Sequence, residues 1–152
     1  MSIRLSREEA FEALANAHTG ILTSMKADGT PITLPVWFAV FDERVYVGGP
    51  EARKRTTRLR RNPRCCFLVE SGIYWKDLKA VLVTCTAREV TDEATLQRVS
   101  EILSAKYDAF RSPRASMPAE TRNVYENPAT ATFELVPDDR ILSFDNSRIK
   151  LS

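Results

Sequence analysis

The chain holds a single histidine, His18, and that scarcity removes most imidazole chemistry. There is no HExxH pair, no second imidazole for a metal centre and no GxSxG nucleophile elbow. Glycine is equally scarce: five residues, with neither GxGxxG nor a Walker loop among them. Three cysteines, Cys65, Cys66 and Cys85, have neither the CxxC spacing of a zinc site nor the even count of a disulfide framework. Such thiols suit a reducing compartment, and we expect a cytoplasmic protein without metal. No apolar run approaches the roughly 20 residues that span a bilayer. The first residues, MSIRLSREEAFEAL, contain no apolar segment of the signal-peptide kind, so no membrane partner is expected.

What remains is an ordinary globular composition. The 152 residues are 43% hydrophobic and 28% charged, which fits one domain over residues 1–152. The net charge is only +2. Its distribution is uneven: Arg53, Lys54, Arg55, Arg58, Arg60, Arg61 and Arg64 fall within twelve residues, with no acid between them. Without those seven, the 22 bases drop to 15 against 20 acids. An otherwise acidic domain therefore carries one concentrated positive patch.

The periodicity predicts a first helix from Ser6, whose S-x-x-E spacing to Glu9 is a capping box. Ala10, Phe11, Ala13, Leu14 and Ala17 form its apolar stripe, Gly20 is its stop, and His18 sits at its C-terminal end. A three-strand meander is expected next. It comprises Ile21 to Lys26, a type I′ turn at Asp28-Gly29, a long strand Pro31 to Phe41, a turn at Asp42-Glu43-Arg44, and Val45 to Val47 ended by Gly48-Gly49-Pro50. Ala52 to Arg61 reads as a short cationic helix stopped by Asn62-Pro63. Arg64 to Glu70 and Leu78 to Val90 read as strands around a loop, Ser71 to Asp77. Asp92 caps a second main helix with apolar residues Leu96, Val99, Ile102, Leu103, Tyr107 and Phe110. Arg111 to Asn127 reads as a long irregular loop, and Ala129 to Pro137 and Arg140 to Phe144 as two closing strands. The fold class is therefore mainly β (α+β): six or seven antiparallel strands with two main helices.

Three features offer chemistry. In GGPEARKRTTRLRRNPR, glycines let backbone approach a ligand, a helix N-terminus favours anions, and guanidinium matches phosphate bidentately. Gly48, Gly49, Arg53, Lys54, Arg55 and Arg58 are the candidates, with Arg60, Arg61 and Arg64 weaker; a solvated basic helix face is the alternative. Pro35 lies within a strand, which marks an edge or a bulge and frees neighbouring backbone groups beside Thr33, Val36 and Trp37. Tyr74 and Trp75 stand in a loop, where they could cover a flat ring, complete a pocket in a partner chain or anchor an interface. A nucleic-acid partner is disfavoured, because the basic run is short and has no interleaved aromatics.

In this order the pieces resemble the pyridoxamine 5′-phosphate oxidase-like family of flavin-binding split β-barrels. The resemblance rests on Gly20-Ile21-Leu22-Thr23 with Asp28-Gly29-Thr30-Pro31, then Thr33-Leu34-Pro35-Val36-Trp37-Phe38, then Val45-Tyr46-Val47. It continues through Arg55…Leu59-Arg60-Arg61-Asn62-Pro63-Arg64, Val81-Leu82-Val83 with Ala87, and Pro137…Arg140-Ile141-Leu142-Ser143-Phe144-Asp145…Arg148. The chain departs from the family where Arg55 replaces a usual Lys, Arg58 an Asn, Cys85 a common Gly and Phe144 a Trp. The resemblance implies a split barrel that forms a homodimer with cofactor sites at the subunit interface. It implies a ring lying along Thr33, Leu34, Pro35, Val36 and Trp37, and a phosphate held by the Gly49 to Arg58 segment. The implied cofactor is FMN or the deazaflavin coenzyme F-420, and the implied activity is an oxidoreductase moving hydride to or from a small-molecule substrate. Other members of this fold bind haem or nothing, so a non-catalytic cofactor- or tetrapyrrole-binding protein is the alternative.

Overall fold

A computed structural model describes residues 2–126 and 129–151. Its elements are α1 (Arg7–Asn16), β1 (Gly20–Met25), β2 (Pro31–Val36), β3 (Ala39–Phe41), β4 (Arg44–Pro50), α2 (Lys54–Arg61), β5 (Arg64–Ser71), β6 (Lys79–Glu89), α3 (Glu93–Tyr107), α4 (Ala119–Tyr125) and β7 (Thr130–Asp145). The seven strands form one antiparallel sheet in the order β2-β1-β5-β6-β7-β4-β3, curled as a split barrel.

Local chemistry explains the helix starts. Ser6 accepts from Glu9 N–H, and Glu9 returns a bond to Ser6 N–H. Asp92 accepts from Thr95 N–H at the head of α3. The α1 stripe of Ala10, Phe11 and Leu14 is buried in the barrel core with Phe38, Phe67, Val47, Val81, Val83 and Leu135. Phe38 and Phe67 meet edge to face at 4.7 Å. Gly20 opens β1 rather than stopping the helix, and its role is steric: a Cβ there would overlap the Phe67 ring.

The expected meander does not form. The long strand breaks at Trp37-Phe38, so β2 pairs with β1 while β3 pairs with β4. Their outer sides become the two opposite edges of the sheet, which is the split. The cause is tertiary. The Tyr107 hydroxyl, on α3, accepts from Phe38 N–H at 3.1 Å and donates to the His18 carbonyl at 2.8 Å. His18 itself lies beyond the end of α1, with its ring edge-on to Phe110 and Tyr107.

Other turns differ too. At Asp28-Gly29 only Gly29 has a positive φ, 87°, and a Gly29 N–H to Lys26 carbonyl bond makes a three-residue loop. The two-residue type I′ geometry occurs at Asp42 (φ 50°) and Glu43 (φ 54°). Gly48 and Gly49 lie within β4 and Pro50 is its last residue; the three pair with Thr132, Ala131 and Thr130. The two closing strands are one, β7, in which residues 138–140 bulge opposite Thr84 between the Val83–Ile141 and Cys85–Pro137 pairs. The segment read as an irregular loop contains a 3-10 turn at Arg114–Ser116 and α4; Asn127 lies outside the described residues.

One face of the sheet is not covered by the core. Pro35, Ile21, Leu68, Leu82 and Leu142 are direct cross-strand neighbours on β2, β1, β5, β6 and β7. Their flanking residues Leu22, Phe67, Val69, Val81 and Val83 are buried on the other face. Leu142 is 59% exposed. No helix among the described residues is long and apolar enough to cross a membrane.

Candidate functional site

The basic run folds into α2, which crosses the open end of the barrel. Thr56 and Leu59 are buried and fasten the helix to the core. Arg55 and Arg58, three residues apart, share an adjacent face. Arg55 Nη2 donates to the Gly48 carbonyl on β4 at 2.8 Å, and Arg58 Nε donates to Ser24 Oγ on β1 at 2.8 Å. Together they bridge the two sides of the barrel mouth. Arg53 Nη2 donates to the Tyr125 hydroxyl at 2.9 Å.

These three guanidiniums are oriented by neutral acceptors: a carbonyl, a hydroxyl and a phenol. Among the described residues no carboxylate pairs with Arg53, Lys54, Arg55 or Arg58. The rest of the run is different. Arg60 is bound by Glu51 and Glu89, and Arg64 holds Asp138 bidentately at 3.0 and 2.8 Å. Arg61 donates to the Met25 carbonyl near Asp28, whose carboxyl is held below its usual value, first by the Thr30 N–H and with a smaller contribution from Arg61. The cations divide into neutralised and unneutralised sets. Burial, then the charges of Arg53 and Arg58, hold the Arg55 pKa below the ordinary guanidinium value. Such a group gains from an anion and has none among the described residues.

Gly49 makes this crowding possible. A Cβ at that position would lie 3.2 Å from Arg55 Nη2 and 3.7 Å from Arg53 Nε. Gly49 thus acts within a strand by admitting guanidiniums to the backbone, while a Cβ at Gly48 would meet Thr132 on β7; neither glycine turns the chain.

Ser24 connects this corner to β2, because its cross-strand partner is Ile32, next to Thr33. Thr33 is exposed, with Oγ1 2.9 Å from Thr23 Oγ1. Leu34 is 55% exposed, Pro35 is exposed on the edge of the sheet, and Val36 is buried. Trp37 follows the strand and stacks on Tyr107 at 4.4 Å and 5°, with Arg111 near the ring. Tyr74 and Trp75 lie on the β5–β6 connection. That is the far end of β5 from α2, roughly 20 Å away at about 3.3 Å per strand residue. Both side chains are mostly exposed, and Asn146 Nδ2 pins the connection through the Trp75 carbonyl. A single chain brings the basic corner and the start of β2 together and leaves Tyr74 and Trp75 remote. A cavity of about 390 Å³ lies elsewhere, between α1 and β5–β6, lined by Glu9, Glu12, Glu70 and Lys79 among others. Its carboxylates are the wrong chemistry for a phosphate.

Ser24 and Tyr125 join the site from outside the basic run: Ser24 is one polar residue within the strand expected over Ile21 to Lys26, and Tyr125 lies in the segment expected to be irregular. Neither carries a local signal of its guanidinium partner.

The curled sheet, its split between β2 and β3 and the capping helices define a split-barrel protein. The family model of pyridoxamine 5′-phosphate oxidase matches residues 6–139, and the chain belongs to that family. A conserved hypothetical protein of Mycobacterium tuberculosis superposes with a TM-score of 0.79 at 22% identity, covering 99% of this chain and 94% of that one. A FAD-binding protein from Mesorhizobium loti gives 0.67 at 22% identity, covering 91% of each chain. The haem storage protein HutZ from Vibrio cholerae gives 0.63 at 15% identity, covering 95% of this chain and 96% of that one. Among curated proteins, no sequence matches this chain.

Proposed function

We propose that the protein binds a flavin-type coenzyme, FMN or the deazaflavin F-420, at a site shared by two copies of the chain, and acts as an oxidoreductase on a small molecule. The observation that carries this reading is the run Arg53, Lys54, Arg55 and Arg58 at the head of α2, without a carboxylate partner among the described residues and with Arg53 and Arg55 beside Gly49. Guanidiniums fixed by neutral acceptors keep their charge for a ligand. Arg55 and Arg58 hold the phosphate at the barrel mouth. The open backbone edge of β2 from Thr33 to Val36 offers hydrogen bonds and an apolar wall to a ring.

Family membership and the similarity to a FAD-binding protein of the same fold support a flavin. A homodimer is supported by the uncovered ladder Pro35-Ile21-Leu68-Leu82-Leu142 and by the distance of Tyr74 and Trp75 from the basic corner. A second copy packed on that face supplies Tyr74 and Trp75 to its partner's site. The coenzyme, when bound, supplies hydride transfer. The chain's own residues bind, orient and shield it, and none needs to act as acid or base, which agrees with the single histidine.

Purified protein is expected to bind FMN or F-420 in a fluorescence titration, with binding weakened at least tenfold in Arg55→Gln. Colourless protein that binds neither overturns the proposal. The similarity to a haem storage protein favours a second reading, a sequestering protein. Bound coenzyme that no tested acceptor reoxidises supports that second reading.

A further inference from the structure

We infer that the β5–β6 connection is a preformed arm that docks on a second copy of the chain, with Gly72 and Asn146 holding Tyr74 and Trp75 in the docking conformation. It rests on the shared-site reading above and adds the residues that shape the contact.

Ile73, Tyr74 and Trp75 are 90%, 66% and 60% exposed. Single exposed apolar side chains are ordinary on a surface, but three in succession form a patch. The backbone beneath them is held at several points. Gly72 has a φ of 101°, and a Cβ there would overlap the Asp77 carbonyl, so the arm closes on itself where only glycine fits. The Asp77 carboxylate accepts from Tyr74 N–H at 2.7 Å, and the Tyr74 carbonyl accepts from Asp77 N–H at 3.0 Å. Asn146 is buried; its Nδ2 donates to the Trp75 carbonyl at 2.7 Å and its backbone N–H to the Leu78 carbonyl at 2.9 Å.

The three side chains so presented belong to neither buried cluster, so this ordering does not serve the core. It serves a contact. An arm ordered in advance avoids the cost of fixing a loop on association. Tryptophan and tyrosine are also over-represented among the residues that carry interface energy.

The arm's place selects its occupant. The Leu68–Leu82 rung of the outer apolar ladder lies three residues from the Ser71–Lys79 pair where the arm begins, about 10 Å along the strands. Leu142, the exposed end of that ladder, is four residues before Asn146. The arm therefore continues the ladder. A stable interface covers roughly 800 Å² on each partner, enough to take in both. In a two-fold dimer each chain presents the same ladder, the contact is self-complementary, and each arm reaches the other copy.

The test uses the full chain in sedimentation equilibrium, with Trp37→Phe as a background in which Trp75 is the one tryptophan. Acrylamide quenching of Trp75 should fall severalfold as the protein is concentrated from monomer to dimer. Tyr74→Ser/Trp75→Ser changes only exposed side chains and should weaken the dimer at least tenfold, while Phe110→Ser, an exposed aromatic beside His18, should not. Asn146→Ala and Gly72→Ala keep both aromatics; each should weaken the dimer severalfold and speed the nanosecond anisotropy decay of Trp75 in the monomer. A chain that stays monomeric, a dimer unchanged in the double variant, or Trp75 quenched equally in monomer and dimer overturns the proposal. An unchanged Trp75 decay in both single variants overturns the positioning role. Coenzyme titration separates the two readings. A dimer that covers Trp75 but binds no coenzyme keeps the arm and removes the coenzyme. A dimer that binds coenzyme with Trp75 freely quenched does the reverse.

Discussion

Arg55 reaches back across the start of its own helix to the Gly48 carbonyl oxygen, 2.8 Å from Nη2. The bond fixes a half-buried cation in a place where Arg53 and Arg58 repel it. A ligand-free protein therefore holds unrelieved repulsion at this corner, and an anion relieves it.

The expected consequence is a trade of stability against binding. Arg55→Met should leave the ligand-free chain as stable or more stable, by up to about 1 kcal/mol, because it removes both repulsion and desolvation. The gain should shrink with added salt. The same variant should lose the stabilisation that phosphate or coenzyme gives the wild type. Thermal melts with and without pyrophosphate measure both effects; a ligand-free variant several degrees less stable would make Arg55 a structural residue instead.

How much of this was legible in the sequence follows the range of each interaction. The Ser6–Glu9 and Asp92 caps act over three residues and were readable directly. So were the edge position implied by Pro35, since proline lacks a ladder donor, and the clustering of the basic run. The break at Trp37-Phe38 was not, because its cause is Tyr107, about seventy residues along the chain. Gly48 and Gly49 resemble turn glycines, but their strand state is set by Ala131 and Thr132 on β7. The division of the cations was hidden for the same reason: Asp138 and Glu89, which neutralise Arg64 and Arg60, are distant in sequence. Asp42 and Glu43 adopt a type I′ turn without glycine because the β3–β4 register demands two connecting residues.

Tyr107 joins α3 to both sides of the split, so its hydroxyl is a sensitive point. Tyr107→Phe keeps the stack on Trp37 but leaves the Phe38 N–H buried without its acceptor. A loss of about 1–3 kcal/mol is expected in denaturant unfolding. Hydrogen exchange at Phe38 should accelerate relative to the β5–β6 core, and equal protection in both proteins would contradict the assignment.

Lys106 should give the folding stability a recognisable pH dependence. Its ammonium lies 3.8 Å from the Phe38 ring centre and is half-buried, and burial pushes its pKa down to about 8 from 10.5. The ring face favours the ammonium and limits the fall. The folded pKa is depressed, so the unfolded chain binds more protons between about 8 and 10.5. Stability from this group should therefore rise as pH increases through that window. Solvent screening reduces the effect to the order of 1 kcal/mol. The buried thiols work the other way: burial pushes Cys65 up to about 12, so its contribution falls at high pH. The measurement is thus the difference between wild type and Lys106→Met in urea unfolding at pH 7.5 and 9.5. The wild type should gain relative to the variant at the higher pH; parallel curves would remove Lys106 as the source.

The apolar ladder across the outer face gives the proposed dimer a direct test. Five cross-strand neighbours from Pro35 to Leu142 present hydrocarbon on the side away from the core. Leu142→Lys or Leu82→Lys would force an ammonium into any symmetric contact on this face, an unpaired charge that costs several kcal/mol to bury. Sedimentation should shift from dimer to monomer at micromolar concentration, while the buried core, which neither side chain joins, keeps the fold intact. Coenzyme affinity should fall with the dimer if, as proposed, Tyr74 and Trp75 come to the basic corner from a second copy. Phosphate and pyrophosphate binding should persist, since Arg53, Lys54, Arg55 and Arg58 belong to one chain. A monomeric variant that still binds coenzyme at full strength would put the whole site within a single protomer, and a variant that stays dimeric would move the interface off this face.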